Sequence, residues 1–159
     1  ASRIESRFEP GDDGPTHGDF YEAQLLVDDG RITGLLDVDT VGPGRRVDDL
    51  ACMLAHLSVM VTLDTEHGHR FEDALTRWSA RFDASVDSRQ LRVAAAAVVL
   101  SLATGPYRMQ EPRWLEATGV RVELAERWLD ASGRRGLPDL RDLSSGPPRH
   151  LTDAGETQQ

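Results

Sequence analysis

The apolar positions change period once along this chain. Gln24-Leu25-Leu26-Val27 is a short apolar run, and Ile32 to Val38 is another, with Asp28-Asp29-Gly30-Arg31 between them. Asp-Gly tolerates the positive φ angles of a tight reversal, so the two runs read as the strands of a β-hairpin. Gly34 weakens the return strand, because it has no side chain to pack. A polar loop holding Gly42, Pro43 and Gly44 follows, and beyond it the spacing becomes helical. Asp48 can cap a helix running to Leu63. Leu50, Ala51, Met53, Leu54, Leu57, Met60 and Val61 make that helix apolar nearly all round, which predicts a central position. A second helix carries Phe71, Ala74, Leu75, Trp78 and Phe82. A third starts near Asp87 and runs to Thr104, where Gly105-Pro106 stops it. A fourth opens near Pro112, carries Trp114, Leu115, Val122, Ala125, Trp128 and Leu129, and ends by Gly133.

The ends lack such periodicity. Residues 1–15 are polar and rich in Gly and Pro, and read as a linker or a frayed start. From Arg134 the chain is polar and contains Pro147-Pro148, so 134–159 reads as a flexible tail. The segment 16–133 is then one α+β, mostly α, unit: a hairpin followed by about four helices. Neither a parallel sheet nor a Rossmann unit is indicated.

Composition narrows the partners. The 159 residues suit one domain, and a net charge of −9 argues against nucleic acid and against an anionic membrane surface. A cationic or neutral partner fits better. The 18 basic residues are all Arg, and the chain holds neither Lys nor Asn. Its Ala-, Arg- and Asp-rich make-up points to a GC-rich coding sequence of bacterial type. A single cysteine, Cys52, excludes an internal disulfide and a cage of thiolates around zinc. Cys52 and Met53 lie on the central helix and read as core, as do Trp78, Trp114 and Trp128. His67-Gly68-His69 reads as a solvated helix start. Val93 to Ala103 is too short an apolar stretch to span a bilayer, and the cytoplasm is the expected location.

Three carboxylates fall at loops or strand ends: Asp19, Asp37 and Asp39. A hairpin brings its outer ends together, so Asp19 and Gln24 are expected to face Asp37 and Asp39. Hard cations take oxygen ligands, and Mg²⁺ is commonly held by one or two carboxylates plus phosphates. A phosphoryl-transfer site needs one carboxylate on the metal and another near the attacking hydroxyl. On composition alone the plainer reading, solvated turn acids, is preferred.

Thr16 to Ala51 reads THGDFYEAQLLVDDGRITGLLDVDTVGPGRRVDDLA. This stretch resembles the catalytic segment of the aminoglycoside phosphotransferase and choline kinase group, which has the protein-kinase-like fold. That family has His-Gly-Asp, four residues, an Asn, and a hairpin whose second strand ends in Asp. Twelve residues later another Asp opens a helix. Here those places hold His17-Gly18-Asp19, Gln24, Asp37 and Asp49. The resemblance implies a kinase-like C-terminal lobe, with ATP or GTP as co-substrate and Mg²⁺ as cofactor. It implies that Asp19 orients the acceptor hydroxyl and accepts its proton, and that Asp37 with Gln24 holds the metal. His17 and Asp49 would be structural, Asp49 bonding backbone amides of the catalytic loop. Tyr21, Glu22 and Asp39 are candidates to touch substrate. Tyr107, Arg108 and Glu111 are weaker ones, chosen by position.

Two departures qualify the resemblance. Gln24 stands where the family has Asn, offering the same amide oxygen on a longer arm. The family's N-terminal lobe, with its phosphate-covering loop and strand Lys, has no counterpart before His17. The expectation is therefore a catalytic lobe acting on a small polar acceptor such as an aminoglycoside, with the other lobe absent from this chain and the lobe alone inactive. An exposed apolar face near the hairpin, able to drive homodimerisation, is also expected. A kinase-derived binding or scaffolding module without catalysis is the alternative.

Overall fold

The computed structural model describes residues 13–63, 66–134, 136–140 and 143. The hairpin forms where the sequence places it. Strand β2 (Leu25–Asp28) pairs antiparallel with β3 (Arg31–Leu35). The turn residues Asp29 and Gly30 have φ of 46° and 69°, the paired positive values that match strand twist in a two-residue reversal. Gly34 lies opposite Leu26, and a Cβ there would come 3.0 Å from the Leu26 side chain.

A second two-stranded ribbon departs from the expected layout. Strand β1 (Asp13–Thr16) pairs antiparallel with β4 (Gly42–Arg45). Residues 13–15 are therefore strand rather than linker, while residues 1–12 lie outside the described residues. The register sets Pro15 against Pro43 and Gly14 against Gly44. A Cβ on Gly44 would sit 2.5 Å from Thr16 Oγ1, so the two backbones approach closely because this position carries no side chain.

Five helices follow among the described residues: α1 (Arg46–Leu63), α2 (Gly68–Asp83), α3 (Ser88–Leu102), α4 (Gly105–Arg108) and α5 (Trp114–Ala131). The architecture is α+β and mostly helical. Helix α1 starts two residues before Asp48. Asp48 pairs with Arg45 (Arg45 Nε–Oδ2 3.0 Å) instead of capping. Helix α3 begins as its sequence suggests, with Asp87 Oδ1 accepting from Gln90 N at 2.8 Å. Helix α4 is a single turn that uses Pro106 near its start.

The core lies where α1 meets α2 and α3, and where α3 meets α5. Leu54, Leu75, Leu91, Val99, Leu124 and Trp128 are fully buried there. The Trp128 indole N–H donates to Ser58 Oγ at 3.1 Å, which satisfies both groups inside the core. Trp78 and Trp114, by contrast, are 40% and 39% exposed and lie at the rim rather than in the core. Each rests on one aromatic neighbour, Phe82 and Tyr107 respectively.

Arg92 is buried within the otherwise apolar face of α3. It pairs with Asp83 through both Nη atoms, and its Nε donates to Gly136 O at 3.0 Å. It thus ties the end of α2 to the segment after α5. That segment departs from the expected loose tail: Leu143 is buried, and Leu137 and Leu140 pack against the same core. Residues 144–159 lie outside the described residues. Among the described residues, no helix is long and apolar enough to cross a membrane.

Candidate active site

The site begins with one carboxylate in the first turn of α1. Asp49 Oδ2 accepts the backbone N–H of His17 at 2.7 Å, and its Oδ1 accepts that of Gly18 at 2.9 Å. Both bonds are charge-assisted, so they hold two successive peptides in one orientation. The His17 ring is buried, and its Nε2–H donates to Leu36 O at 2.8 Å, across to the end of the hairpin. Its Nδ1 accepts Asp19 N at 3.3 Å. One donor and one acceptor define a neutral Nε2–H imidazole. The Thr40 hydroxyl closes the clamp by donating to His17 O at 2.6 Å. Gly18 sits at φ +87°, and a Cβ there would meet Thr40 Cβ and Oγ1 at 3.2 Å. The backbone leading into Asp19 is thus held by α1, by the hairpin end and by the turn at Thr40.

Asp37 ends the hairpin in the left-handed region, at φ 52° and ψ 50°. Gln24 closes the 3-10 turn Glu22–Gln24 and is buried. Its backbone carbonyl accepts Leu36 N at 2.8 Å, and its side-chain Nε2 donates to Asp37 Oδ2 at 3.4 Å. The hairpin therefore brings Gln24 and Asp37 together as expected. A half-turn of the Gln24 amide sets Oε1 in place of Nε2, beside the carboxylate. Two hard oxygen donors side by side fit Mg²⁺, so the longer arm still reaches. Asp39 lies in the 3-10 turn Val38–Thr40 and is exposed.

The chemistry around Asp19 extends onto α1. Cys52 Sγ donates to Asp19 Oδ1 at 3.8 Å. The Tyr21 ring stacks on His56, with centroids 4.0 Å apart and planes 19° apart. Burial pushes the Cys52 thiol up to about 12, with the Asp19 charge adding to it. Burial lowers the His56 imidazole, against an opposing pull from Glu22 and Asp19. Tyr21 is raised by desolvation and then by the charges of Asp19, Glu22 and Asp37. Glu22 Oε2 is enclosed and has no hydrogen-bond partner among the described residues. The three carboxylates make this a strongly negative locale.

Residues 4–90 match the model of the phosphotransferase enzyme family, more than half of the 159-residue chain. The chain belongs to the phosphotransferase enzyme family. No curated protein and no solved structure matches it. In this phosphotransferase-family chain the match takes in both ribbons, α1 and α2, while α3 has only begun by residue 90. The structural parts implied for Asp49 and His17 are visible as hydrogen bonds. Sequence reasoning missed His56 altogether and took Cys52 only as core. A signal was present: Cys52 and His56 are four residues apart on one helix, hence on one face, and the helix starts three residues before Asp49. Tyr107 packs edge-on against Trp114, and the charge of Glu111 acts on Arg121. Those contacts are those of a helix connection.

Proposed function

We propose that this is the catalytic lobe of a phosphotransferase moving the γ-phosphoryl group of ATP or GTP to a hydroxyl of a small, polar, cationic acceptor of the aminoglycoside kind. The observation that carries the reading is the Asp49 clamp, which holds His17 and Gly18 so that Asp19 follows in one orientation. A carboxylate held in this way can align an acceptor hydroxyl and take its proton. Asp37 and Gln24 would hold Mg²⁺, which when bound supplies positive charge to the nucleotide's phosphates. Tyr21, Glu22 and Asp39 would contact the acceptor, and the negative locale favours a cationic one.

Leu26, Val27, Ile32, Leu36 and Val38 leave an exposed apolar face on and beside the hairpin. A nucleotide-covering second lobe would pack there, and a second copy of the chain would compete for the same face. Dependence on ATP and Mg²⁺ suits a cytoplasmic reaction, and the composition suits a bacterial source.

Calorimetric titration of Mg-ATP into the chain, beside an Asp37→Asn variant, tests the reading. We expect Mg²⁺-dependent binding that weakens at least tenfold in the variant. Equal binding by both proteins would remove Asp37 from the metal site. Absence of Mg²⁺-dependent binding would favour the non-catalytic module.

A further inference from the structure

We propose that Asp19, Cys52 and His56 form a site for a thiophilic divalent cation of the zinc type, distinct from the Asp37–Gln24 pair. One carboxylate oxygen, one sulfur and one imidazole nitrogen, one from each residue, lie within 4.8 Å of one another. Around zinc, with Zn–S of about 2.3 Å and Zn–N or Zn–O of about 2.0–2.1 Å, tetrahedral ligand atoms stand about 3.3–3.6 Å apart. Cys52 Sγ and Asp19 Oδ1 are already at 3.8 Å. Closing the remaining gaps requires side-chain movements of about 1 Å, within one rotamer well.

The scaffold favours that closure. Cys52 and His56 are one turn apart on α1, a rigid helix that presents both to one side. The Tyr21 ring stacked on His56 holds the plane of the imidazole. Asp19 is aimed by the clamp on the preceding two peptides. The donor set also decides the metal. A sulfur and an imidazole suit zinc, whereas Mg²⁺ takes oxygen ligands. Glu22 adds a further charge acting on both Cys52 and His56, and its enclosed Oε2 has no partner among the described residues. A cation at the group would give that oxygen an electrostatic partner. As the sulfur–metal bond forms, the Cys52 thiol proton leaves to solvent. The site itself stands apart from the phosphotransfer reading. Only its consequence rests on that reading: an ion on Asp19 withdraws the carboxylate from an acceptor hydroxyl, so zinc would inhibit.

Cobalt(II) is the probe. Titrated into the chain without nucleotide, it should produce a near-ultraviolet thiolate-to-cobalt band and visible bands of tetrahedral strength. Added Zn²⁺ should bleach both, and excess Mg²⁺ should not. Cys52→Ser should lose the thiolate band, and His56→Ala should weaken cobalt binding at least tenfold. Asp37→Asn should leave the band intact, which separates this site from the nucleotide-metal pair. Far-UV circular dichroism confirms that each variant is folded, and His56→Ala keeps the test decisive if Cys52→Ser unfolds. No thiolate band in the native chain would overturn the proposal, as would a band unaltered in His56→Ala or abolished in Asp37→Asn. Failure of Mg-ATP binding would leave the proposal standing, since the cobalt readout involves no nucleotide.

Discussion

The ribbon half, residues 13–45, and the helical half, residues 46–131, are held together by different forces. The helices bury Leu54, Leu75, Leu91, Leu124 and Trp128 completely, and gain their stability from apolar surface removed from water. The ribbons leave Val27 and Ile32 each 62% exposed, and the residues they do bury are polar, His17 and Gln24. Their geometry rests largely on hydrogen bonds, and those that hold the peptides leading into Asp19 against α1 converge on Asp49. The region that holds the candidate chemistry is therefore positioned by a few directional contacts on a platform stabilised by many non-directional ones. Such a region is expected to open locally at lower free energy than the platform beneath it.

The largest effect expected from probing this contrast is in the platform. Leu54→Ala should lower global stability by about 3 kcal/mol, the usual cost of a cavity at a fully buried leucine, measured by urea unfolding. Asp49→Ala should act locally, costing about 2 kcal/mol through the loss of two charge-assisted bonds. Hydrogen exchange should show it as faster exchange at the His17 and Gly18 amides, with the centre of α1 little changed. If Asp49→Ala instead lowers global unfolding as much as Leu54→Ala does, the two halves form one cooperative unit and the contrast fails. The smallest effect belongs to Ile32→Thr, which keeps a β-branched residue in the strand and should change stability by less than about 0.5 kcal/mol. A larger loss, with a concentration-dependent unfolding midpoint, would show that this face is covered in solution by a second copy.

Elements defined by neighbours in sequence are legible from the residue pattern. The Asp29-Gly30 reversal, the all-round apolar α1 and the Asp87 cap each depend on residues a few positions apart. The β1–β4 ribbon is not legible in this way, because Gly14, Pro15, Pro43 and Gly44 have no strand preference and pair across the intervening hairpin. Leu137, Leu140 and Leu143 are hidden in a polar stretch, since their burial depends on where α5 delivers the chain. Trp78 and Trp114 sit at apolar-periodic positions, yet each stays partly exposed at the rim, against one aromatic neighbour. Arg92 lies within an apolar run, and its partners Asp83 and Gly136 meet it only after α2 and the segment following α5 have packed.

In the candidate site the same division holds. The His17-Gly18-Asp19, Gln24, Asp37 and Asp49 spacing is readable along the chain, and so is the meeting of Gln24 with Asp37, because a hairpin closes it. Sequence by itself determined the hairpin, the order of helices and the resemblance to a phosphotransferase family. Tertiary structure alone decided that Asp49 grips two peptides more than thirty positions away. It alone decided that Cys52 and His56 stand beside Asp19. Local propensity acts over a few residues, whereas these contacts follow from how α1 lies against the ribbons, which only the packed chain defines.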